Sequence, residues 1–339
     1  MRAVWISRHG GPEVLEVRTT ADPEPGPGEV RVRVRAAGLN FADIMARTGL
    51  YPDAPKPPCV VGYEFAGEVD ALGPGTAGPP TGARVVGLTR FGGHSELVCV
   101  PGEAAFPMAE GMTFEAAAAI PLNYLTAYHV LFRVAAVRPG ERVLVHMAAG
   151  GVGIAALQLC RTIEGVVTYG TASAAKHEAI EAEGCQHPVD YRSADWETEV
   201  RRLTGGEGVD VVLDPLGGRD TRKGYRLLRP SGRLVMYGVA NLLSGGRRSL
   251  GNLVVHGLRV VLPRFSPMEA MNDNRSVAGV NVAHLPDAML AEEMAAVLGL
   301  FARGAIKPHI DSTFSFEQAA EAHRRIEERR NVGKVLLVP

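Results

Sequence analysis

The residues that point most clearly to chemistry are a run of small ones at positions 146–153, with the sequence HMAAGGVG. The run is a variant of G-x-G-x-x-G with an alanine in the first glycine position, and it lies between an apolar strand-like segment and a helix-like one. Gly150 would let the backbone approach a pyrophosphate, and Gly153 would let the helix pack on the sheet. The first helical N–H groups, at Gly151 and Val152, would face the phosphates. The run predicts a dinucleotide site, with an unliganded strand–helix turn as the alternative.

The segment after the next predicted strand, residues 166–170, indicates which dinucleotide is favoured. An NAD-binding protein places an Asp or Glu there to hold the ribose 2′-OH, but no acid occurs before Glu178. Thr171 and Ser173 offer hydroxyl groups and Lys176 offers a charge, so this end of the strand would suit a 2′-phosphate. The sequence therefore favours NADPH over NADH; the alternative for Lys176 is a solvated lysine on a helix surface.

The elements that must position these residues change character after Pro121. Before it, alternating segments separated by Gly and Pro clusters predict a small antiparallel barrel or sandwich. After it, apolar strands alternate with helical stretches, which predicts a parallel sheet covered by helices on both faces. The predicted strands are residues 30–35, 67–71, 84–87, 96–100, 142–146, 166–170, 188–191, 209–213 and 233–239.

Residues 244–275 interrupt this alternation and are interpreted as a helical excursion, a lid or a plain surface insertion. The pattern then resumes with a strand at 276–284, a helix at 287–302, a strand at 309–314, a helix at 316–330 and a strand at 333–338. The predicted fold class is α/β with two domains. We expect a first domain at 1–122, a doubly wound domain at 123–285 that contains the insertion, and a segment at 286–339 that completes the first domain.

Charge and cysteine usage exclude several classes of protein. The chain of 339 residues has 36 Lys and Arg against 37 Asp and Glu, so it lacks the basic surface that nucleic acid or an anionic membrane would require. The four cysteines include no CxxC pair, which indicates a reducing compartment. The first residues lack the apolar core of a signal peptide, and the apolar stretch 143–160 is better explained as a buried strand and helix than as a membrane span. We therefore predict a cytoplasmic protein.

A barrel-like domain followed by such a sheet invites comparison with zinc alcohol dehydrogenases, which would require metal ligands in this sequence. A structural zinc needs closely spaced cysteines, but residues 89–112 contain only Cys99. The positions for a Cys-His ligand pair carry the sequence GLNFAD (38–43), and those for Gly-His-Glu carry GYE (62–64). Because a lone glutamate does not hold zinc, we expect no metal site.

Several long segments narrow the comparison further. They include residues 38–43, 122–128 (LNYLTAY), 145–153, 171–178, 214–218, 240–243 and 331–338 (NVGKVLLV). On these segments the chain resembles the medium-chain dehydrogenase/reductase superfamily over essentially its whole length. The likeness is to the zinc-free quinone oxidoreductase branch, and within it to the vesicle amine transport protein homologues, which share a longer connection at 244–275.

The resemblance implies a GroES-like β-barrel catalytic domain, a Rossmann cofactor domain, and a role for specific residues around the nucleotide. Those implied near the nicotinamide and its ribose are Asn40, Tyr51 and Thr126. Those implied around the 2′-phosphate are Ser173, Lys176 and Tyr191, with Tyr237 and Gly238 against the adenosine or pyrophosphate. Val280 and Val282 would bind the carboxamide through their backbone, and Asn331 would close the site. The resemblance also implies a homodimer that pairs through the strand after residue 275.

Without zinc to polarise a carbonyl, the expected acceptors are those that spread negative charge themselves, namely quinones and α,β-unsaturated carbonyls. Such a reaction needs orientation, a dry site and one or two hydrogen-bond donors. The candidate donors are Tyr51 and Tyr63; Tyr63 could equally be an aromatic that packs in the barrel. Two other functions remain open: an enone reductase of bacterial secondary metabolism, and a nucleotide-binding protein with a lipid- or membrane-associated role. The second would need an amphipathic basic helix, for which residues 242–262 are sparsely basic.

Overall fold

The computed structural model describes residues 1–242 and 265–339. These residues form two compact units, one of Met1–Leu125 with Ala283–Pro339 and one of Thr126–Val282. Most of the predicted insertion, residues 244–264, lies outside the described residues, and so does nearly all of the candidate basic helix at 242–262.

The first unit consists mainly of antiparallel strands. Its strands are β1 (Arg2–Ile6), β2 (Leu15–Thr19), β3 (Glu29–Leu39), β4 (Cys59–Val60), β5 (Glu64–Leu72), β6 (Arg84–Leu88), β7 (Leu97–Pro101), β8 (Ala105–Pro107), β15 (Ile310–Ser315) and β16 (Lys334–Val338). One sheet has the order β15-β16-β3-β5-β6-β8, with β7 also paired to β3, and a smaller sheet has the order β2-β1-β4.

This unit also contains helices between its strands. They are α1 (Phe41–Thr48), α2 (Phe114–Ala118), α9 (Asp287–Ala302) and α10 (Ala319–Glu327), and α3 (Pro121–Tyr128) runs across the boundary between the units. The helix predicted at 316–330 begins with a 3₁₀ turn at Phe316–Gln318 before it continues as α10.

The alternation of valine and arginine explains the long strand β3. Val30, Val32 and Val34 are at most 2% exposed and pack into one core, whereas Arg31 bonds the Asp70 carboxylate at 2.8 Å. The strand is longer than the predicted 30–35 because it continues through small and apolar residues up to Leu39, where the alternation stops and the residues are buried on both faces.

The last strand returns to the first unit and pairs with β3. β16 runs antiparallel to β3, with Val335 opposite Leu39 and Leu336 opposite Gly38. On the other side of β3, β5 is also antiparallel, with Phe65 opposite Ala37. The end of β3 is therefore flanked by the start of β16 and the start of β5.

The second unit is a parallel sheet with intervening helices. Its strands are β9 (Arg142–Val145), β10 (Val167–Ala172), β11 (His187–Asp190), β12 (Val209–Asp214), β13 (Leu228–Met236) and β14 (Ser276–Gly279). Its helices include α4 (Gly151–Cys160), α5 (His177–Ala182), α6 (Trp196–Leu203), α7 (Arg219–Leu227) and α8 (Pro267–Asp273). The predicted alternation of strands and helices is confirmed.

The order of the strands locates where a ligand would bind this unit. The sheet order is β11-β10-β9-β12-β13-β14, and every pairing is parallel. From β9 the chain adds β10 and β11 on one side, and it then crosses to add β12, β13 and β14 on the other side. Open α/β sheets bind ligands at the carboxyl ends of the two strands between which the strand order reverses, here β9 and β12. A buried apolar cluster that includes Leu144 of β9, Val212 of β12 and Trp196 packs against these two strands.

One strand was predicted too long. The pattern at 276–284 was interpreted as a strand, but β14 ends at Gly279 and residues Val282–His284 form a 3₁₀ turn. The N–H of Val280 still donates to the last carbonyl of β13, Met236 O, at 2.8 Å. Beyond that bond the polar residues Asn281 and His284 leave the sheet.

Across residues 1–242 and 265–339, every helix is too short or too polar to cross a lipid bilayer.

Candidate functional site

The glycine-containing turn lies at the carboxyl end of β9, as the sequence predicts. Gly150 precedes α4 in an extended conformation with φ −79° and ψ 171°, and no side chain caps the first N–H groups of this helix. These N–H groups and the positive end of the helix dipole are available to an anion. The turn therefore offers the donors that a pyrophosphate requires.

The glycines at positions 150 and 153 have different structural roles in the turn. A Cβ at Gly153 would lie 2.4 Å from Met147 O and 2.6 Å from Ala148 O, so only glycine lets the helix pack this closely on the turn. A Cβ at Gly150 would meet only Met147 O, at 3.2 Å. The space in front of Gly150 is thus open to a ligand, and Gly153 has a packing role.

The tight bend itself is made by a residue that the motif does not include. Met147 has a φ of 51°, in the left-handed region, and its N–H donates to Thr171 Oγ1 at 3.3 Å. His146 Nδ1 also contacts Thr171 Oγ1, at 3.0 Å. Thr171, predicted to bind the cofactor, is 3% exposed and its hydroxyl holds the turn. Burial lowers the pKa of His146, so this imidazole is neutral in the fold.

The residues predicted around a 2′-phosphate lie at the ends of β10 and β11. Ser173 is buried and precedes the 3₁₀ turn Ala174–Lys176, where Lys176 N donates to Ser173 O at 2.8 Å. Tyr191 packs against the core of the second unit and follows β11 directly. The structure brings these three residues to the carboxyl ends of two adjacent strands.

Sequence reasoning missed an acidic residue at the carboxyl ends of the same two strands. Asp190 ends β11, opposite Ala172 of β10, and its Oδ1 accepts the N–H of Arg192 at 3.0 Å. That N–H lowers the pKa of Asp190, so the carboxylate is ionised at neutral pH. The sequence argument considered only the end of the second strand, whereas the parallel register places the end of the third strand beside it.

Tyr237 and Gly238 follow β13 and lie over the turn after β12. The N–H of Tyr237 donates to Asp214 O at 3.0 Å, and a Cβ at Gly238 would lie 3.0 Å from Pro215 O. The buried Asp214 shapes that turn, because its Oδ1 accepts the N–H of Leu216 at 2.7 Å. The backbone after β13 therefore packs closely against the backbone of the turn after β12.

The remaining predicted residues of the second unit lie near the start and the end of its sequence range. Thr126 is 6% exposed on α3. Val280 has its N–H committed to Met236 O, so its carbonyl is the backbone group that could serve a carboxamide. Val282 begins the 3₁₀ turn after the strand and is buried, which corrects its predicted position on the strand.

In the first unit the structure shows a buried polar cluster around Asn40, at the end of β3. Asn40 Nδ2 donates to Glu64 Oε1 at 2.7 Å, and Lys334 Nζ donates to Asn40 Oδ1 at 2.6 Å. Lys334 Nζ also forms an ion pair with Glu64, and both side chains are at most 3% exposed. Sequence reasoning singled out Asn40 but missed Lys334, which is 294 residues away along the chain.

The same cluster fixes the start of α1. Asn40 N donates to Asp43 Oδ2 at 2.8 Å, and Gly62 N donates to Asp43 Oδ1 at 2.9 Å. Burial raises the pKa of Asp43, although the nearby Lys334 ammonium opposes that shift. The carboxylate of Asp43 thus connects the residue before α1 to the segment before β5.

The two candidate tyrosines lie together but differ in environment. Tyr51 is half-buried, and its ring centroid lies 5.9 Å from that of Tyr63. Tyr63 is 5% exposed and also contacts Phe91, with centroids 5.4 Å apart. Burial raises the pKa of Tyr63 far above its ordinary value. The Tyr63 hydroxyl is enclosed without a hydrogen-bond partner among the described residues, so its surroundings are those of a packing aromatic.

Asn331, predicted to close the site, lies in the turn before β16. Its Nδ2 donates to Gly333 O at 2.9 Å. Gly333 has a φ of 77°, and a Cβ there would lie 2.3 Å from His309 O. The turn places Asn331 three residues before Lys334 in the first unit.

In the part of the chain that the structure describes, the side chains around Glu64 do not form a metal site. There, no group of three or more His, Cys, Asp or Glu side chains converges to hold an ion. Glu64 instead faces an ammonium and an amide.

Comparison with known proteins places this geometry in a family. Residues 26–110 match the alcohol dehydrogenase GroES-like domain and residues 183–337 match the zinc-binding dehydrogenase family. The human synaptic vesicle membrane protein VAT-1 homolog is 47% identical over 345 residues, covering 100% of this chain and 86% of that protein. The chain belongs to the medium-chain dehydrogenase/reductase superfamily.

Two solved structures of this superfamily are informative. The Escherichia coli quinone oxidoreductase, solved in complex with NADPH, has a TM-score of 0.86 and 29% identity and covers 100% of both chains. The CurK enoyl reductase has a TM-score of 0.83 and 28% identity, covering 99% of this chain and 98% of that one. This dehydrogenase/reductase therefore has the predicted two-domain α/β fold, with a GroES-like domain and a Rossmann-like domain that binds nicotinamide cofactors in the family.

Proposed function

We propose that this chain is an NADPH-dependent oxidoreductase that reduces a quinone or an α,β-unsaturated carbonyl compound without a zinc ion. The observation that carries the proposal is the open glycine turn at the carboxyl end of β9, where Gly150 precedes an uncapped helix. Its support from relatives is the quinone oxidoreductase solved with NADPH. The proposal goes beyond family membership in naming the cofactor, the acceptor class and the absence of metal.

The choice of NADPH rests on the ends of β10 and β11. Ser173 and Lys176 offer a hydroxyl and an ammonium, and Tyr191 offers a phenol. Asp190 would repel a 2′-phosphate, but its carboxylate is partly satisfied by the N–H of Arg192. We infer that Lys176 favours NADPH, because a charge-assisted hydrogen bond to a 2′-phosphate is about twice as strong as the neutral one that a 2′-hydroxyl would form.

The proposal that the reaction needs no zinc rests on the side chains that contact Glu64. Zinc prefers thiolate, imidazole and carboxylate ligands, while Glu64 is bonded to the Lys334 ammonium and the Asn40 amide. A cation next to Glu64 is thus already supplied by the chain. We propose that the reaction proceeds without a Lewis acid.

Bound NADPH would supply the hydride, and the chain would supply orientation and hydrogen bonds. Reduction of an enone adds hydride to the β-carbon, moves charge to the carbonyl oxygen, and needs a proton from a donor or from water. Tyr51 is the better-placed candidate donor because it is half-buried, whereas the Tyr63 hydroxyl is enclosed. Asn40 is the candidate that orients a ligand from the first unit, with Thr126 and Asn331 as further proposed contacts.

The assay that tests the proposal follows NADPH oxidation against a panel of quinones and enones, with NADH as the matched control. We expect turnover with at least one acceptor and a higher kcat/KM with NADPH. Tight NADPH binding with no turnover on any acceptor would contradict the proposed activity. That result would favour a nucleotide-binding protein with a membrane-associated role, since the human relative is named a synaptic vesicle membrane protein. Turnover confined to enones would point to the tailoring-reductase alternative.

We also propose that the protein is a cytoplasmic homodimer. β14 is the last strand of the six-stranded sheet in the described residues, so a second copy could extend the sheet there. Light scattering on the purified protein measures the mass that this arrangement requires.

A further inference from the structure

We propose that Lys334 and Glu64 are positioning residues that fix the orientation of the Asn40 side chain for the reaction. The inference rests on the proposed function, because it gives Asn40 a role in orienting the ligand. It goes beyond that function because it gives Lys334 and Glu64 a part in orienting the ligand, through Asn40.

The sheet brings the three residues together. In the register of β16 against β3, Val335 lies opposite Leu39, so Lys334 comes next to Asn40. In the register of β5 against β3, Phe65 lies opposite Ala37, so Glu64 comes next to Gly38. The first residue of β16 and the first residue of β5 thus meet at the carboxyl end of β3.

A glycine makes room for this meeting. A Cβ at Gly38 would lie 2.1 Å from Glu64 Oε1 and 2.6 Å from Lys334 Cε. Any other residue at position 38 would push the ion pair out of place. The space between the strands therefore fits these two side chains.

The hydrogen bonds specify which way the Asn40 amide faces. Its oxygen accepts from the Lys334 ammonium at 2.6 Å, and its nitrogen donates to the Glu64 carboxylate at 2.7 Å. A flipped amide would set the NH₂ group against an ammonium and the oxygen against a carboxylate, which are two repulsive contacts. The second hydrogen of Nδ2 is then the donor that Asn40 can offer to a ligand.

Glu64 is itself held in place. Its Oε2 accepts the N–H of Leu122 at 2.7 Å, while Oε1 receives both Asn40 and Lys334. The side chains of Glu64 and Lys334 are 0% and 3% exposed. In such a place, bonds between charged groups are strong and directional because water does not compete with them. The ion pair is thus a rigid support for one amide.

The experiment compares four proteins: the native chain, N40A, the double variant E64Q/K334M, and the triple variant N40A/E64Q/K334M. The double variant removes both buried charges together, so neither is left unpaired. We expect it to lower kcat about 10- to 100-fold, as misplacement of an orienting group does, and to leave the Kd for NADPH unchanged. We expect the triple variant to be no slower than N40A, because the pair acts only through Asn40.

A matched control is the ion pair of Arg31 on β3 with Asp70 on β5, in the same unit. R31M/D70N should keep the native kcat even if its thermal midpoint falls. A double variant E64Q/K334M with native kcat, or a triple variant whose loss multiplies that of N40A, would overturn the inference. If the double variant does not fold, E64Q/K334Q replaces it, because it also removes both charges but keeps a polar group at each position, with the same comparison in the N40A background.

Neutron crystal structures, which distinguish the amide nitrogen from its oxygen, test the same inference without turnover in the native chain and in the E64Q/K334M or E64Q/K334Q variant. We expect a single Asn40 amide orientation in the native chain and a changed or mixed one in the variant. An unchanged Asn40 would overturn the positioning role. If the native chain reduces no acceptor, the proposed function fails, and the structures still decide whether the pair orients Asn40.

Discussion

Among single residues, Tyr51 and Tyr63 are adjacent aromatics with different access to a ligand. Tyr51 is half-buried, whereas the Tyr63 hydroxyl is enclosed without a hydrogen-bond partner among the described residues. We expect Tyr51→Phe to lower kcat roughly 10- to 100-fold, the scale on which a donor to a developing oxyanion acts. Steady-state kinetics with one acceptor measures this loss.

Tyr63→Phe is the matched variant, since it removes a hydroxyl from the neighbouring ring. Because a buried unsatisfied hydroxyl is unfavourable, we expect it to raise the free energy of unfolding by about 1 kcal/mol and to keep kcat. A kcat that falls as far in Tyr63→Phe as in Tyr51→Phe would show that the Tyr63 hydroxyl reaches the ligand after all.

Lys176 is the residue on which the choice of dinucleotide depends. Lys176→Ala should raise the KM for NADPH about 10- to 100-fold, because it removes one charge-assisted contact of about 1.5–3 kcal/mol. The KM for NADH should hardly change. Lys223→Ala is the control, because it removes another lysine of the same unit, one whose ammonium forms an ion pair with Asp195. An unchanged ratio of the two KM values in Lys176→Ala would contradict the assignment of the 2′-phosphate site.

Among the elements, the turn between β9 and α4 leaves no room for a side chain at Gly153. A Cβ at Gly153 would lie 2.4 Å from Met147 O, so Gly153→Ala should lower the free energy of unfolding by about 1–3 kcal/mol. Because the turn must shift, its affinity for NADPH should also fall. Chemical denaturation and a fluorescence titration measure the two effects.

Gly299→Ala is the control for this element. Gly299 lies within α9, and a Cβ there would meet only the flexible end of Arg303, at 3.3 Å. Replacing a helical glycine by alanine should stabilise the protein by about 0.5–1 kcal/mol and leave NADPH binding unchanged. Native affinity for NADPH in Gly153→Ala would mean that the turn does not bind the pyrophosphate.

The elements that sequence predicted well are those with a strong local signal. The alternation of valine and arginine predicted β3, and the small apolar run before a glycine predicted β9 and α4. β14 was predicted too long because Val280 and Val282 continue an apolar alternation. The chain leaves the sheet there after one more backbone bond, which no local pattern marks.

In the molecule as a whole, the contacts that sequence missed are those between distant segments. Lys334 lies in a segment that the resemblance singled out, yet its partners Asn40 and Glu64 are 294 and 270 residues away. Asp190 was missed for a similar reason, since its proximity to Ala172 depends on the register of two strands. Each residue alone has an ordinary type and an ordinary neighbourhood in sequence. Only the fold brings them together.

For the whole molecule, we propose that it moves a hydride from NADPH to carbon with no metal to assist. The most direct measurement uses NADPH labelled with deuterium at the transferred position and protein treated with a chelator, with an enone that the acceptor panel identifies. We predict one deuterium on the β-carbon of the product for each NADPH oxidised, at a rate that chelation does not change. A product without deuterium would contradict hydride transfer from NADPH to the β-carbon. An activity that chelation abolishes and zinc restores would contradict a reaction without metal.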